Sequence, residues 1–319
     1  MKINRIITLL LVAIQFSMMD ARPLQQFIHE GWSFRQARGT NWYPATVPGV
    51  VHTDLLDNGL IEDPFYRLNE RGVQWVDKED WMYRTTFDVS PELLSKENII
   101  LRFDGLDTYA DVTLNGKKIL SADNMFREWQ ADVSSLLKLK DNQLEVYLHS
   151  PIKIAMPKWE AVPFRYRSSN DQSENGGLFD RKVGVFVRKA GYHFGWDWGP
   201  RLVTSGIWRP VTLEAWNDAR INDVFYNQKA VTEREASIDV VVELLADKEV
   251  TAELKVVNRT DHRTENRKSV HLTKGLNKVP VSFTMKKPKL WWTNGLGEPF
   301  LYDMAVTREA NTNFPQEEI

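Results

Sequence analysis

The sequence predicts an all-β protein organised as two consecutive β-sandwiches, and three observations carry that reading. Apolar and polar residues alternate with a period of two in run after run, amphipathic helical patterns are scarce, and the runs are punctuated by turn-forming pairs such as Asn115-Gly116 and Asp247-Lys248. The length agrees: 319 residues correspond to about two domains at roughly 100–200 residues each.

The first 21 residues stand apart. Lys2 and Arg5 supply a positive start, and Ile6–Ile14 is a short apolar run, so Met1–Ala21 reads as a secretory signal. The run is shorter than the roughly 20 apolar residues of a membrane span. Export of a chain without cysteine fits a bacterial periplasmic or secreted protein.

From residue 24 the strands follow in order. Leu101 and Phe103 alternate with Arg102 and Asp104, and Ala110, Val112 and Leu114 alternate with Asp111 and Thr113. The second run ends in Asn115-Gly116, a hairpin signal because both residues tolerate positive φ. Leu144, Val146 and Leu148 form a further strand, as do Val211, Leu213 and Ala215. Residues 50–58 and 91–97 are the short helix candidates. The first sandwich is therefore predicted over residues 24–216. A second block, 217–310, carries Ile238, Val240, Val242 and Leu244, then Ala252, Leu254 and Val256, then Val279, Val281, Phe283 and Met285, and finally Leu301–Thr307. Several short strands in about 90 residues predict an immunoglobulin-like sandwich. Asn258–Lys268 reads as an exposed hairpin loop, Pro151–Val183 as a long irregular stretch with Ser168–Gly177 its most loop-like part, and 311–319 as a linker.

Charge and motifs exclude several functions. With 41 Lys+Arg against 43 Asp+Glu, no nucleic-acid or membrane-surface partner is indicated. The absence of cysteine removes disulfides, thiolate metal sites and cysteine nucleophiles. No phosphate loop, dinucleotide fingerprint, zinc-binding H-E-x-x-H or G-x-S-x-G elbow is present, so neither a metal nor another cofactor is predicted. Asn69-Glu70, a pair that can mark a glycosidase acid/base, sits among Arg67, Arg71 and turn formers and is read as non-catalytic. The twelve Trp and fifteen Phe leave two options, sugar platforms or sandwich core, and the core is the plainer one.

The positive signal is Tyr192–Pro210, YHFGWDWGPRLVTSGIWRP. Gly195 and Gly199-Pro200 bracket Trp196, Asp197 and Trp198 too closely for a strand interior. A rigid loop presenting two indoles and a carboxylate suits a sugar: the rings offer an apolar platform and the carboxylate accepts charge-assisted hydrogen bonds from hydroxyls. The alternative is that the indoles wedge into the sandwich while Asp197 pairs with Arg201. Composition leaves both open.

The segment Gly195–Pro210 resembles a signature of the β-mannosidase branch of glycoside hydrolase family 2. VPGVVHTDLL (Val47–Leu56), DPFYRLNE (Asp63–Glu70), DWMYRTTF (Asp80–Phe87), FDGLDTYADVTLNG (Phe103–Gly116) and LWWTNGLGEPFLY (Leu290–Tyr302) agree with it in family order. The resemblance implies a jelly-roll, galactose-binding-like sandwich, then an immunoglobulin-like sandwich, then a (β/α)8 barrel acting in cis. It implies retaining hydrolysis of terminal β-linked mannose by two barrel glutamates. A barrel needs about 250 residues and 17 follow Tyr302, so no catalytic residue is expected in this sequence. The resemblance assigns Asp197 to substrate hydroxyls and Trp196 and Trp198 to the pocket wall. Around them it implies Arg201 orienting Asp197, Trp208 in the core, Arg209 at an inter-domain contact, and Trp291 and Trp292 packing near the barrel. Two other readings are a stand-alone carbohydrate-binding module and a structural fragment without ligand affinity.

Overall fold

Alternating side chains become alternating faces once strands pair, and the ten strands of the first unit do so in two antiparallel sheets. The computed structural model describes residues 23–168, 170–310 and 317–318. The proposed signal Met1–Ala21 therefore lies outside the described residues. Contacts divide the rest into Leu24–Asn217 and a unit beginning at Asp218.

In the first unit, β1 (Leu24–Phe27), β2 (Ser33–Gln36), β3 (Tyr43–Pro44), β4 (Trp81–Phe87), β5 (Asn98–Phe103), β6 (Tyr109–Leu114), β7 (Lys117–Asp123), β8 (Trp129–Asp132), β9 (Asn142–His149) and β10 (Val211–Trp216) follow one another. One sheet has the order β1-β10-β5-β8 and the other β3-β2-β4-β9-β6-β7. Their inward residues share one core, with Leu101, Phe103 and Leu213 from the first sheet and Phe34, Tyr83, Val112, Leu144 and Val146 from the second. Asn115 and Gly116 take φ of 50° and 80°, so the hairpin between β6 and β7 turns where those residues allow it. Short helices occupy the two candidate segments, α1 (Val51–Asp57) and α2 (Pro91–Leu94).

The second unit contains β11 (Ala219–Val231), β12 (Glu235–Ala246), β13 (Val250–Asn258), β14 (Arg263–Leu272), β15 (Gly275–Lys286), β16 (Met304–Ala310) and β17 (Glu317–Glu318). Sheets β11-β12-β15 and β14-β13-β16-β17 enclose Val240, Val242, Leu254, Val256, Leu272, Val281 and Val306. The protein is all-β, as its alternation predicts, with the sandwich architecture expected for each unit.

Four local expectations need correction. Pro151–Ala161 is a third helix, α3, rather than irregular chain. Its Ser150 Oγ accepts the Lys153 amide at 3.1 Å and Pro151 fills the first helical position, a start signal that the internal Pro157 obscured. Asn258–Lys268 is mostly strand: β13 runs to Asn258 and β14 restarts at Arg263. As an edge strand, β14 is largely exposed over its first residues and so lacks the alternation of a half-buried strand. Within the stretch read as a linker, residues 317–318 pair with Thr307 and Arg308; residues 311–316 and 319 lie outside the described residues. Finally, the tryptophans are not mainly core. Trp32, Trp81 and Trp216 are buried, whereas Trp75, Trp196, Trp198, Trp291 and Trp292 are exposed and the other four lie between.

A small third core positions the site. Ile152 and Ala155 of α3 pack with Tyr109, Leu178, Val183, Val187, Phe194 and Val203, tying the segment that precedes β10 to the sandwich.

Candidate functional site

Phe194 and Val203 are both buried in that small core, so the chain between them must leave it and return. It does so through a tight turn in which the Gly199 amide reaches the Trp196 carbonyl at 3.4 Å. Trp196, Asp197 and Trp198 sit on the turn and all three are exposed, Trp198 at 87%. The Trp198 indole, held in water on the turn, gains little from packing within its own unit and is available as an apolar surface, while Trp196, 37% exposed, is partly covered. The indoles are thus not wedged into the sandwich. Gly195, at φ 121°, enters the turn through a backbone region that side chains avoid.

Arg201 behaves differently from its expected role. Its side chain is fully buried and its Nη1 donates to Asp77 Oδ2 at 2.6 Å and to Gln74 Oε1 at 2.7 Å. Asp77, not Asp197, is its charge partner. The physical reason is burial: a guanidinium without solvent needs a carboxylate that is buried with it, and Asp197 is in water. The backbone of Arg201 is gripped as well, its N–H donating to Glu70 Oε1 and its carbonyl accepting from Gln74 Nε2, both at 2.8 Å. Glu70 therefore serves the architecture of this loop. Gly176 lies flat on the guanidinium, since a Cβ there would fall 2.5 Å from Arg201 Cζ. Near Arg201, burial raises the Asp171 carboxyl above its usual range, although the Gly184 N–H and Arg201 itself act to lower it.

A second buried network lies further along the same segment. Lys189, with no side-chain exposure, contacts both oxygens of Asp107 and donates to Thr204 Oγ1 at 2.8 Å. Thr204 Oγ1 in turn donates to Asp107 Oδ2 at 2.6 Å. Burial and the nearby Lys189 charge hold His52 and His193 neutral, each lowered to about 4.

Trp208 and Arg209 precede β10. Trp208 is half-buried rather than core, packed so tightly on Gly105 that a Cβ there would lie 2.5 Å from its Nε1. The exposed Arg209 stacks its guanidinium 4.5 Å from the Trp208 ring centre. Trp291 and Trp292, in the second unit, are exposed. The structure thus brings Trp196, Asp197 and Trp198 together on one turn, with Arg201 beneath as an anchor. Sequence reasoning passed over Gln74, Asp77, Asp107 and Lys189, because these partners lie up to 127 positions from the residues they hold and no local spacing marks them.

The fold and this turn define a class: a galactose-binding-like sandwich followed by a second sandwich, the pair that opens certain glycosidases. The galactose-binding-like domain of glycosyl hydrolase 2 matches residues 32–209, and the glycosyl hydrolases family 2 domain matches 219–317. The chain belongs to glycosyl hydrolase family 2. It is 35% identical to β-mannosidase B of Aspergillus terreus over 292 residues, 89% of this chain and 33% of the relative. It is 36% identical to β-mannosidase B of Aspergillus oryzae over 287 residues, 88% of this chain and 32% of the relative. Among solved structures, the β-D-mannosidase of Dictyoglomus thermophilum superposes with a TM-score of 0.81 at 36% identity, over 92% of this chain and 36% of that one. The exo-chitosanase CsxA of Amycolatopsis orientalis, at 20% identity and TM-score 0.68, shares the fold. The chain spans about a third of the length of the curated relatives it matches.

Proposed function

We propose that this chain is the non-catalytic N-terminal part of an exported, retaining, exo-acting β-mannosidase, and that it supplies part of the pocket for the terminal mannose. The single observation that carries the reading is the braced turn holding Asp197 between two exposed indoles, in a chain similar to β-mannosidases over nearly all of its described length. Asp197 accepts hydrogen bonds from hydroxyls of the terminal sugar, and Trp196 and Trp198 form the wall against which its C–H face packs. An ionised acceptor suits this task, because its hydrogen bonds are roughly twice as strong as neutral ones.

The chemistry itself takes two carboxyl groups about 5–5.5 Å apart, one attacking the anomeric carbon and the other protonating the leaving oxygen. We place that pair in a catalytic domain in cis, within the two-thirds of the relatives that this chain does not match. The sandwich then orients the sugar, and by itself hydrolyses nothing.

The test is the complete gene product assayed on an aryl β-mannoside, wild type against Asp197→Asn. Loss of a charged hydrogen-bond acceptor, at about 1.5–3 kcal/mol, predicts a drop in kcat/KM of about 10- to 150-fold. An unchanged kcat/KM would remove Asp197 from the substrate site. Saturable mannose binding by the 319-residue chain with no hydrolysis by the complete gene product would favour the binding-module reading instead.

A further inference from the structure

The turn that carries Asp197 is itself held from outside, by a loop far from it in sequence. Gln172 meets it at two points. Its backbone N–H donates to the Phe194 carbonyl and its side-chain Nε2 donates to the Trp196 carbonyl, each at 2.8 Å. Its Oε1 accepts from Asn175 Nδ2 at 3.0 Å, which sets the amide so that Nε2 faces Trp196. Between the two gripped carbonyls lies Gly195, where a Cβ would fall 2.5 Å from Gln172 Cγ. The Gln172 stem therefore lies directly against the backbone it holds. Gly176, four residues on, covers the buried Arg201 guanidinium, so the same loop braces both ends of Trp196–Arg201.

We propose that Gln172 is a positioning residue for Asp197. The proposal rests on the reading of Asp197 as a substrate ligand and deepens it. The Trp196 carbonyl belongs to the peptide unit that carries Asp197 N and Cα, so fixing that carbonyl fixes the plane from which Asp197 leaves the turn and narrows the directions open to its Cα–Cβ bond. Without the Gln172 amide, the Trp196 carbonyl keeps one contact, the 3.4 Å approach of the Gly199 amide, which is long and weak beside the 2.8 Å bond it loses. A carboxylate on a wandering turn aligns with sugar hydroxyls only part of the time, and small misplacements are costly in rate. Residues 170–177, within the stretch that the sequence marks as the most loop-like of the chain, thereby acquire a defined task.

Two variants separate this role from general stability. Gln172→Met keeps the apolar stem against Gly195 and removes the amide. Gln172→Glu keeps the shape and sets an acceptor against the Trp196 carbonyl. The complete gene product is labelled with 5-fluorotryptophan, and the Trp196 fluorine resonance is assigned through Trp196→Phe. The expected result is a single sharp Trp196 line in wild type and a shifted or broadened line in both variants, with melting temperature nearly unchanged. In parallel, kcat/KM on an aryl β-mannoside falls about fivefold in Gln172→Met, the loss of one neutral hydrogen bond, and further in Gln172→Glu. An unmoved Trp196 line in both variants overturns the proposal. So does a moved line with wild-type kcat/KM, if Asp197→Asn lowers kcat/KM in the same assay. If Asp197→Asn is itself silent, the underlying substrate reading falls, and a moved Trp196 line in that case shows that the clasp exists but serves no substrate.

Discussion

Replacing Arg201 by methionine breaks the buried pair on which the sugar-facing segment rests. In the native protein the guanidinium and the Asp77 carboxylate are 0% and 2% exposed and 2.6 Å apart. The variant leaves Asp77 buried, with Lys78 at 3.3 Å as its remaining cationic neighbour, and strips Gln74 Oε1 of its donor. Breaking a buried pair from one side costs about 3–5 kcal/mol. In a unit of this size each kcal/mol shifts the melting temperature by about 2–4 °C, so the first unit melts about 10 °C lower. Removing the orphaned charge as well, in Arg201→Met with Asp77→Leu, recovers a large part of that loss, because two apolar residues of similar volume can replace a buried pair at little net cost. The assay is a double-mutant cycle by urea unfolding, followed by tryptophan fluorescence. Arg201→Met costing less than about 1 kcal/mol, or single-variant losses that simply add, would refute the reasoning. The segment would then be held by Glu70 and Gln74 on its backbone, and the ion pair would be incidental.

Further outcomes follow from the same geometry. His52 is buried and lowered to about 4 from 6.5, so below pH 6.5 the unfolded chain binds a proton that the folded one refuses. Stability therefore falls as pH drops from about 6.5 to about 4, by about 3 kcal/mol from this residue. The raised carboxyls of Asp54 and Asp171 act in the opposite sense, so the contribution is read as the difference in pH slope between wild type and His52→Leu in urea titrations, and equal slopes would contradict it. Gly176→Ala drives a methyl against Arg201 Cζ, 2.5 Å away, and is expected to destabilise the first unit by about 1–3 kcal/mol; a neutral effect on thermal unfolding would show that the loop is not seated on the guanidinium.

Much of this protein was legible in its sequence because strand alternation is a local signal. Val112, Leu144 and Val146 face the core because every second side chain of a strand points one way, whatever its neighbours are. The Gly195–Pro210 segment was legible in part for the same kind of reason: two glycines and a proline within six residues rule out a strand interior and leave a loop, while the exposure of its indoles came from the structure. Helix α3 escaped notice because Pro157 counts against a helix locally, while its packing through Ile152 and Ala155 is not visible from neighbours in the chain. The exposed tryptophans escaped notice too, since composition gives the number of rings and not which of them water reaches.

By itself, then, the sequence determined two β-sandwiches in series, the hairpin at Asn115-Gly116 and a turn bearing Trp196, Asp197 and Trp198. Only the tertiary structure decided what holds that turn. Arg201 finds Asp77 from 124 positions away and leaves Asp197 free in water, and Gln172 clasps the Trp196 carbonyl across 24. The physical reason is that a buried charge selects its partner by shared exclusion from solvent, and a backbone carbonyl accepts from whichever donor the fold delivers. Neither choice is written in the spacing of residues along the chain.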